Sequence, residues 1–156
     1  FEQKTLLNDA VFGSQGPFPP QVDKTTAFTI RWALVNPASN LTGAKVTALL
    51  PAGVKWENQA RSTSDTAPSY NSRTGLVTWE IGILPAGTGI SAGKYETYFV
   101  VSVTPSVNQA GRVITLLKNS RLEGTDSATQ EKISRTVPDS DTGNIADSKE
   151  SGTVQP

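Results

Sequence analysis

Three residue types are missing from this sequence, and each absence removes a class of chemistry. The 156 residues include no cysteine, no histidine and no methionine. Without cysteine and histidine the chain has no thiol nucleophile, no disulfide and few of the usual zinc ligands, and it lacks the side chain most often used for proton transfer near neutral pH. The absence of methionine, with Phe1 as the first residue, predicts that the chain is cut from a longer polypeptide.

Net charge and long apolar runs are also lacking. Lys plus Arg and Asp plus Glu number 14 each, and the basic residues are scattered, so nothing favours nucleic acid as a partner. Apolar stretches such as residues 98–101 are far shorter than the roughly 18 residues that cross a bilayer. We therefore expect neither nucleic-acid binding nor direct membrane insertion.

What the sequence does contain is a series of short segments in which apolar and polar residues alternate. In residues 26–36, Phe28, Ile30 and Trp32 fall on one face and the residues between them on the other. Such a period of two is typical of a half-buried strand, and no segment shows a sustained helical period. Comparable segments, which together predict an all-β sandwich or barrel of seven to eight strands, occupy residues 41–50, 54–58, 70–82, 94–105, 112–126 and 129–137, with a further edge strand near 4–9.

The alternation also predicts which side chains form the core. These are Phe28, Ile30, Trp32, Val46, Leu50, Trp79, Ile81, Phe99, Val101 and Val103. The three tryptophans all lie on inward faces, which favours core packing over an exposed carbohydrate-binding platform. Trp56 is the one expected to be partly exposed.

The tetrapeptide LPAG occurs twice, at residues 50–53 and 84–87. Its flanking sequences differ, so it does not indicate a repeat. We interpret each copy as a strand end in which leucine is the last core residue, proline fixes φ, and glycine permits the turn.

Composition divides the chain into three parts. Residues 1–16 are predicted to be an edge strand or connector, residues 17–137 the folded sandwich, and residues 138–156 a polar connector. A segment as polar as 138–156 is not expected to order alone, so either the domain's own edge or a neighbouring domain must hold it.

Few residues suggest a site. The oxygen-rich run of Asp139, Asp141, Asn144 and Asp147 is a weak calcium candidate beside the simpler interpretation as a solvated connector, and no other cofactor is expected. Lys4 and Asn119 are the least implausible pair for an isopeptide bond between first and last strands, and a surface lysine with a turn asparagine is the favoured interpretation. Acid–base chemistry would need paired carboxylates, for which Glu57 with Asp65 and Glu80 with Glu96 are the candidates.

The order of motifs resembles a known family. An Asn-Pro turn at Asn36, an LPxGV at 50–54 and a T-G-x-V-x-W-x-I-G-x-LPAG block at 74–87 occur in that order. Together they resemble the conserved-repeat domain called domain of unknown function eleven, found in large envelope proteins of bacteria and archaea. The resemblance covers about residues 17–137. It implies an immunoglobulin-like antiparallel β-sandwich, and it supplies no catalytic residues.

The resemblance implies a non-enzymatic spacer module of an extracellular, cell-surface stalk, adhesin or surface-layer protein. Its partners would be neighbouring domains of the same polypeptide or like subunits. Two alternatives stay open at this point: an extracellular fibre subunit that assembles by β-strand addition through residues 1–11, and a carbohydrate- or ligand-binding surface module.

Overall fold

The computed structural model describes all 156 residues and contains two antiparallel β-sheets packed face to face. The predicted immunoglobulin-like sandwich is confirmed, with ten strands instead of seven or eight because two of them have only three and two residues. No helix has the length and hydrophobicity of a membrane span. The strands are β1 (Glu2–Leu6), β2 (Thr26–Leu34), β3 (Leu41–Leu49), β4 (Val54–Ser62), β5 (Ser69–Asn71), β6 (Leu76–Leu84), β7 (Tyr95–Val103), β8 (Thr115–Asp126), β9 (Lys132–Thr136) and β10 (Ser140–Asp141), and a short 3-10 turn (Val107–Gln109) follows β7.

Strand order defines two lateral edges where the sheets meet. The first sheet has the order β1-β2-β7-β4, and the second has the order β10-β8-β3-β6-β5, with β9 also paired to β8. On one side of the sandwich β1 therefore faces β10, and on the other side β4 faces β5. We call the first side the polar seam (Gln3, Thr5, Ser140 and the segment 142–155) and the second the aromatic seam (Trp56 and Tyr70).

The core lies between the sheets and matches the alternation in the sequence closely. Nine of the ten predicted core residues are buried, and the exception is Ile81, which is half-buried. In the pairing of β6 with β3, Glu80 and Gly82 face consecutive residues of β3, so Ile81 is an extra residue in a bulge. Because the bulge shifts the alternation of inward and outward side chains by one residue, Leu84 faces the core, where it is fully buried.

Both LPAG segments end strands, as predicted. Leu50 and Leu84 are buried, and the glycines that follow them, Gly53 and Gly87, have φ of 87° and 77°. At Gly87 the positive φ is what favours glycine, because side chains rarely adopt that backbone conformation.

The strand predicted for residues 54–58 is longer than expected. Strand β4 continues to Ser62 because it contains a bulge at Asn58, whose φ is 55°. Before the bulge Trp56 pairs with Val101, and after it Ala60 pairs with Phe99. The left-handed backbone is tolerated because asparagine is among the few non-glycine residues that adopt it readily.

The polar segment 138–156 differs most from expectation. The sequence predicts a connector, but Ile145 and Val154 belong to the hydrophobic core with exposures of 7% and 1%. The backbone of this segment crosses from the second sheet to the first, where Val154 N donates to Arg112 O and Gln155 N donates to Pro20 O. Two isolated apolar residues thus dock an otherwise polar segment on its own domain.

Candidate functional site

Strand β1 directs polar side chains into the polar seam. Gln3 Oε1 accepts hydrogen bonds from Trp32 Nε1 at 2.7 Å and from the Ser120 hydroxyl at 2.6 Å. Gln3 Nε2 donates to Pro138 O at 3.1 Å. Because Trp32 and Ser120 are fully buried, Gln3 provides the acceptor that their polar atoms need.

The segment after β10 runs alongside β1 and is bonded to it. Ala146 N donates to Thr5 O at 2.8 Å, and the hydroxyls of Thr5 and Ser140 share a short hydrogen bond. The Asp147 carboxylate accepts from the amides of Leu7 and Asn8 at 2.7 and 2.8 Å. These partners are 135 to 141 residues apart in sequence, so the polar seam joins the two extremes of the chain.

The two joined segments run in the same direction. Thr5 and Ile145 form a parallel bridge, and Glu2 pairs with Ala33 near the end of β2. Residue 1 therefore lies at the Leu34 end of β2. Gln155 pairs beside Gln21, at the end of the sandwich where β2 begins. Since β2 has nine residues, the two ends are roughly 26 Å apart along the strand direction.

The calcium candidates do not converge. Asp139 accepts from the Asn119 amide, Asp141 from the Gly143 amide, and Asp147 from Leu7 and Asn8 as above. Asn144 is exposed, and the structure gathers no group of three acidic side chains anywhere. Each of these three carboxylates accepts hydrogen bonds from backbone amides.

Lys4 is a surface lysine, which was the favoured interpretation, and its position does not suit an isopeptide bond with Asn119. Lys4 lies on the outward side of β1, half-exposed, with its Nζ 3.6 Å from Glu2 Oε2. Asn119 lies in β8 of the other sheet. The period of two that turns Gln3 and Thr5 inward necessarily turns Lys4 outward. No lysine of the chain is buried.

The candidate carboxylates lie in different surroundings. Glu80 is exposed on β6 in the second sheet, whereas Glu96 lies on the outer face of the first sheet. Glu57 accepts a hydrogen bond from the Ser102 hydroxyl, and Asp65 is exposed in the following loop. The Glu80–Glu96 pair does not share a cleft.

The outer face of the first sheet carries an ionic network that the sequence analysis did not predict. Arg31 bonds Glu96 at 2.6 Å and Glu2 at 2.7 Å, and Tyr98 donates to Glu96 at 3.0 Å. Burial alone would raise the pKa of Glu96, but the hydrogen bonds from Arg31 and Tyr98 outweigh it and lower that pKa below its ordinary value.

A second part of this network fixes the loop after β1. Arg61 bonds the buried Asp9 carboxylate at 2.9 Å and lies 3.6 Å above the Tyr98 ring centre. Burial opposes ionisation of Asp9, but the amides of Phe12 and Val11 and the Arg61 guanidinium together lower its pKa.

The three tryptophans have distinct surroundings. Trp32 and Trp79 are fully buried, and the indole of Trp79 donates to Thr66 O at 3.0 Å. Trp56 is half-buried, as predicted, and packs between Phe99, at 5.3 Å between ring centres, and Tyr70, at 5.9 Å with an interplanar angle of 24°. This stack closes the aromatic seam.

No protein-family model matches this chain, and no curated protein matches its sequence. Solved structures share its fold. A variant of BcpA, the major pilin subunit of Bacillus cereus, is 12% identical with a TM-score of 0.52 over 90% of this chain and 40% of the pilin. The full-length major pilin SpaD of Corynebacterium diphtheriae is 11% identical with a TM-score of 0.50 over 90% of this chain and 35% of that one. The RrgA Jo.In complex is 6% identical with a TM-score of 0.51 over 76% and 71%.

At these identities the likeness shows the fold alone. The chain spans well under half the length of either pilin, so it corresponds in size to one part of such a subunit. It is an immunoglobulin-like domain with the architecture of domains in pilins.

Proposed function

We propose that this chain is a non-enzymatic structural module of an extracellular cell-surface stalk or fibre, whose task is to hold a fixed distance under tension. The observation that carries this proposal is the polar seam. It joins the first and last segments of the chain side by side, while residues 1 and 156 lie at opposite ends of the sandwich.

Tension applied through the two ends would load this seam in shear. Strand β1 would be drawn towards one end of the sandwich and the segment 145–155 towards the other. Because the two run parallel, their hydrogen bonds at Thr5, Leu7 and Asn8 would have to break together rather than one after another. The same displacement would remove Gln3 from the buried Trp32 indole.

The likeness to pilin domains and the order of motifs support a surface role. The motif order resembles that of repeat domains in large envelope proteins, in which neighbouring domains are the natural partners. Both ends of the sandwich also expose apolar side chains that a neighbouring domain could cover: Val35 and Ile90 at one end, Val107 and Val113 at the other.

The structure gives less support to assembly by strand addition and to an enzymatic role. Strand addition through residues 1–11 would require β1 to leave the sheet of its own chain, where five residues pair in register with β2. An enzyme would require titratable groups that converge in a cleft, whereas Glu80 and Glu96 lie on different sheets.

Single-molecule force spectroscopy tests the proposal directly. The chain is pulled through residues 1 and 156, and then through Asn71 and residue 156, which leaves the load off β1. We expect a markedly higher unfolding force in the first geometry, and a loss of that difference in the double variant Gln3→Leu, Asp147→Ala. Equal forces in the two geometries would contradict a load-bearing role.

A further inference from the structure

The last docked residues of the chain have an attachment of their own, separate from the contacts with β1. Four backbone hydrogen bonds of 2.7 to 3.0 Å fix Val154 and Gln155 between the segments that precede β2 and β8. Their partners are Pro20 and Val22 on one side and Gly111 and Arg112 on the other. We call residues 152–155 the terminal anchor. Val154, which is 1% exposed, is its one side chain in the core.

A buried hydroxyl closes the loop that precedes the terminal anchor. Thr142 is fully buried, and its hydroxyl donates to Gly152 O at 2.7 Å and accepts from Ile114 N at 3.0 Å. A β-carbon on Gly152 would overlap the Thr142 carbonyl oxygen, so the two segments touch backbone to backbone. Residues 143–151 therefore form a loop whose two ends meet at Thr142 and Gly152.

This loop is attached to β1 only through its first half. Ile145 lies in the core, and Ala146 and Asp147 bond to β1. Every hydrogen bond of residues 148–151 stays within residues 145–153. The stretch between Asp147 and the terminal anchor is therefore slack.

The order of these attachments along the chain decides which contacts tension reaches first. A load applied at residue 156 passes through the terminal anchor before it can reach Asp147, because the stretch between them is slack. The terminal anchor runs towards the end of the sandwich where the chain leaves, so its four backbone bonds are loaded in shear.

The attachment at the other end of the chain is stronger. Five residues of β1 pair with β2, and Gln3 adds hydrogen bonds to the buried Trp32 indole and Ser120 hydroxyl. The bonds from Ala146 and Asp147 hold β1 further. In this series of two attachments, the terminal anchor is the weaker one.

We propose that the terminal anchor is releasable: under tension it detaches first and residues 148–155 extend, while the contacts of residues 145–147 with β1 keep the sandwich closed. The extension gained is at most about 30 Å. This inference rests on the proposed load-bearing function and adds the order in which the contacts fail. A stalk of such modules would lengthen in steps before any core opened, and each anchor could dock again because Ile145 stays in place.

Force spectroscopy on the full chain separates this inference from the function on which it rests. The load enters at residue 156 in both pulling geometries described above, so we expect a first extension of at most about 30 Å in both, before the main unfolding event. The load-bearing role concerns only the force of the main event. A first extension with equal main forces would contradict that role and support the release of the anchor. A difference in main force with no first extension would overturn the release and leave the role standing.

Variants around the neck of the loop identify the step. Thr142→Val keeps the shape of the side chain but removes both hydroxyl bonds, so the lifetime of the docked anchor at constant force should fall about tenfold or more. Val154→Ala removes the core side chain of the anchor and should also shorten that lifetime, which keeps the test valid if Thr142→Val does not fold.

Ser151→Ala is the matched control. It removes only an exposed hydrogen bond to Thr153 and should leave the lifetime of the docked anchor unchanged. Wild-type lifetimes in both Thr142→Val and Val154→Ala would overturn the proposal. So would a single event in which the whole chain extends at once.

Discussion

The two lateral seams close the same sandwich by opposite means. In the polar seam, hydrogen bonds join residues more than 115 positions apart, and the acceptor of a buried indole comes from the first strand. In the aromatic seam, Trp56 and Tyr70 exclude water by stacking, and their polar atoms remain free. Removal of a side chain on the polar side therefore leaves buried partners unsatisfied, whereas the aromatic side loses only contact area.

The two seams therefore contribute differently to the stability of the fold. A seam whose side chains are hydrogen-bonded to each other resists sliding. A seam closed mainly by ring stacking has fewer bonds to lose and contributes less to stability. Four variant sets test the contrast, beginning with the largest expected effect.

Ile145→Ala should cost the most, about 2–4 kcal/mol of unfolding free energy, because it opens a cavity where the last segment enters the core. Urea denaturation measures the loss. Val107→Ala, at a position that is 73% exposed, is the control and should change stability by less than about 0.5 kcal/mol. Equal small effects would mean that the last segment is not part of the core.

Gln3→Leu should cost about 2–3 kcal/mol, because the buried Trp32 indole and Ser120 hydroxyl both lose their acceptor. Tyr70→Phe removes a hydroxyl with no partner in the protein and should cost less than about 0.5 kcal/mol. Thermal unfolding of the two variants compares the seams directly. If Tyr70→Phe proved the more destabilising, the contrast between the seams would be reversed.

Asp147→Ala should cost about 1–2 kcal/mol, because two backbone amides lose an anionic acceptor that is itself exposed. Asp65→Ala removes an exposed carboxylate with no such partners and should have little effect. Chemical denaturation of both variants at neutral pH measures this difference. Indistinguishable midpoints would show that Asp147 does not stabilise the polar seam.

Lowering the pH should have the smallest effect on stability. That effect should come from the outer face of the first sheet and not from the polar seam. Asp9 and Glu96 have pKa values in the folded chain below their ordinary 3.8 and 4.5, so the unfolded chain binds protons more tightly. Their stabilisation is complete above those ordinary values and is lost as pH falls through the lower folded values. The melting temperature should thus decline in acid.

The variants distinguish the source of that decline. Asp9→Asn with Glu96→Gln should make it shallower, because two of the three carboxyls with a lowered pKa are gone and only Asp126 keeps one. Gln3→Leu should be less stable at every pH but should follow the wild-type slope, because glutamine does not titrate. A change of slope in Gln3→Leu would show that the two regions are coupled.

The sequence predicted most of the sandwich because its strands alternate strictly. A period of two was enough to place Phe28, Ile30 and Trp32 in the core. Ile81 failed that rule because it is the extra residue of a bulge, and the positive φ of the neighbouring Gly82 cannot be recognised from alternation. The partial exposure of Trp56 was correct, but its partner Tyr70 is on another sheet and could not be inferred from local pattern.

The polar seam was the main feature that composition concealed. Residues 138–156 are polar enough to be taken for a connector, and only Ile145 and Val154 anchor them in the core. The available signal was the presence of these two large apolar residues within an acidic segment. Their role depends on contacts with residues 1–8 and 20–22, which no periodicity can reveal.

Amide hydrogen exchange tests most directly whether the first and last segments belong to one cooperative unit. The amides of Leu7, Asn8 and Ala146 donate across the polar seam. We expect them to exchange only through global unfolding, with the same free energy as the central amides of β2 and β7. Rapid exchange of these three amides, with the centre of the sandwich still protected, would show that the seam opens freely and would contradict a load-bearing role.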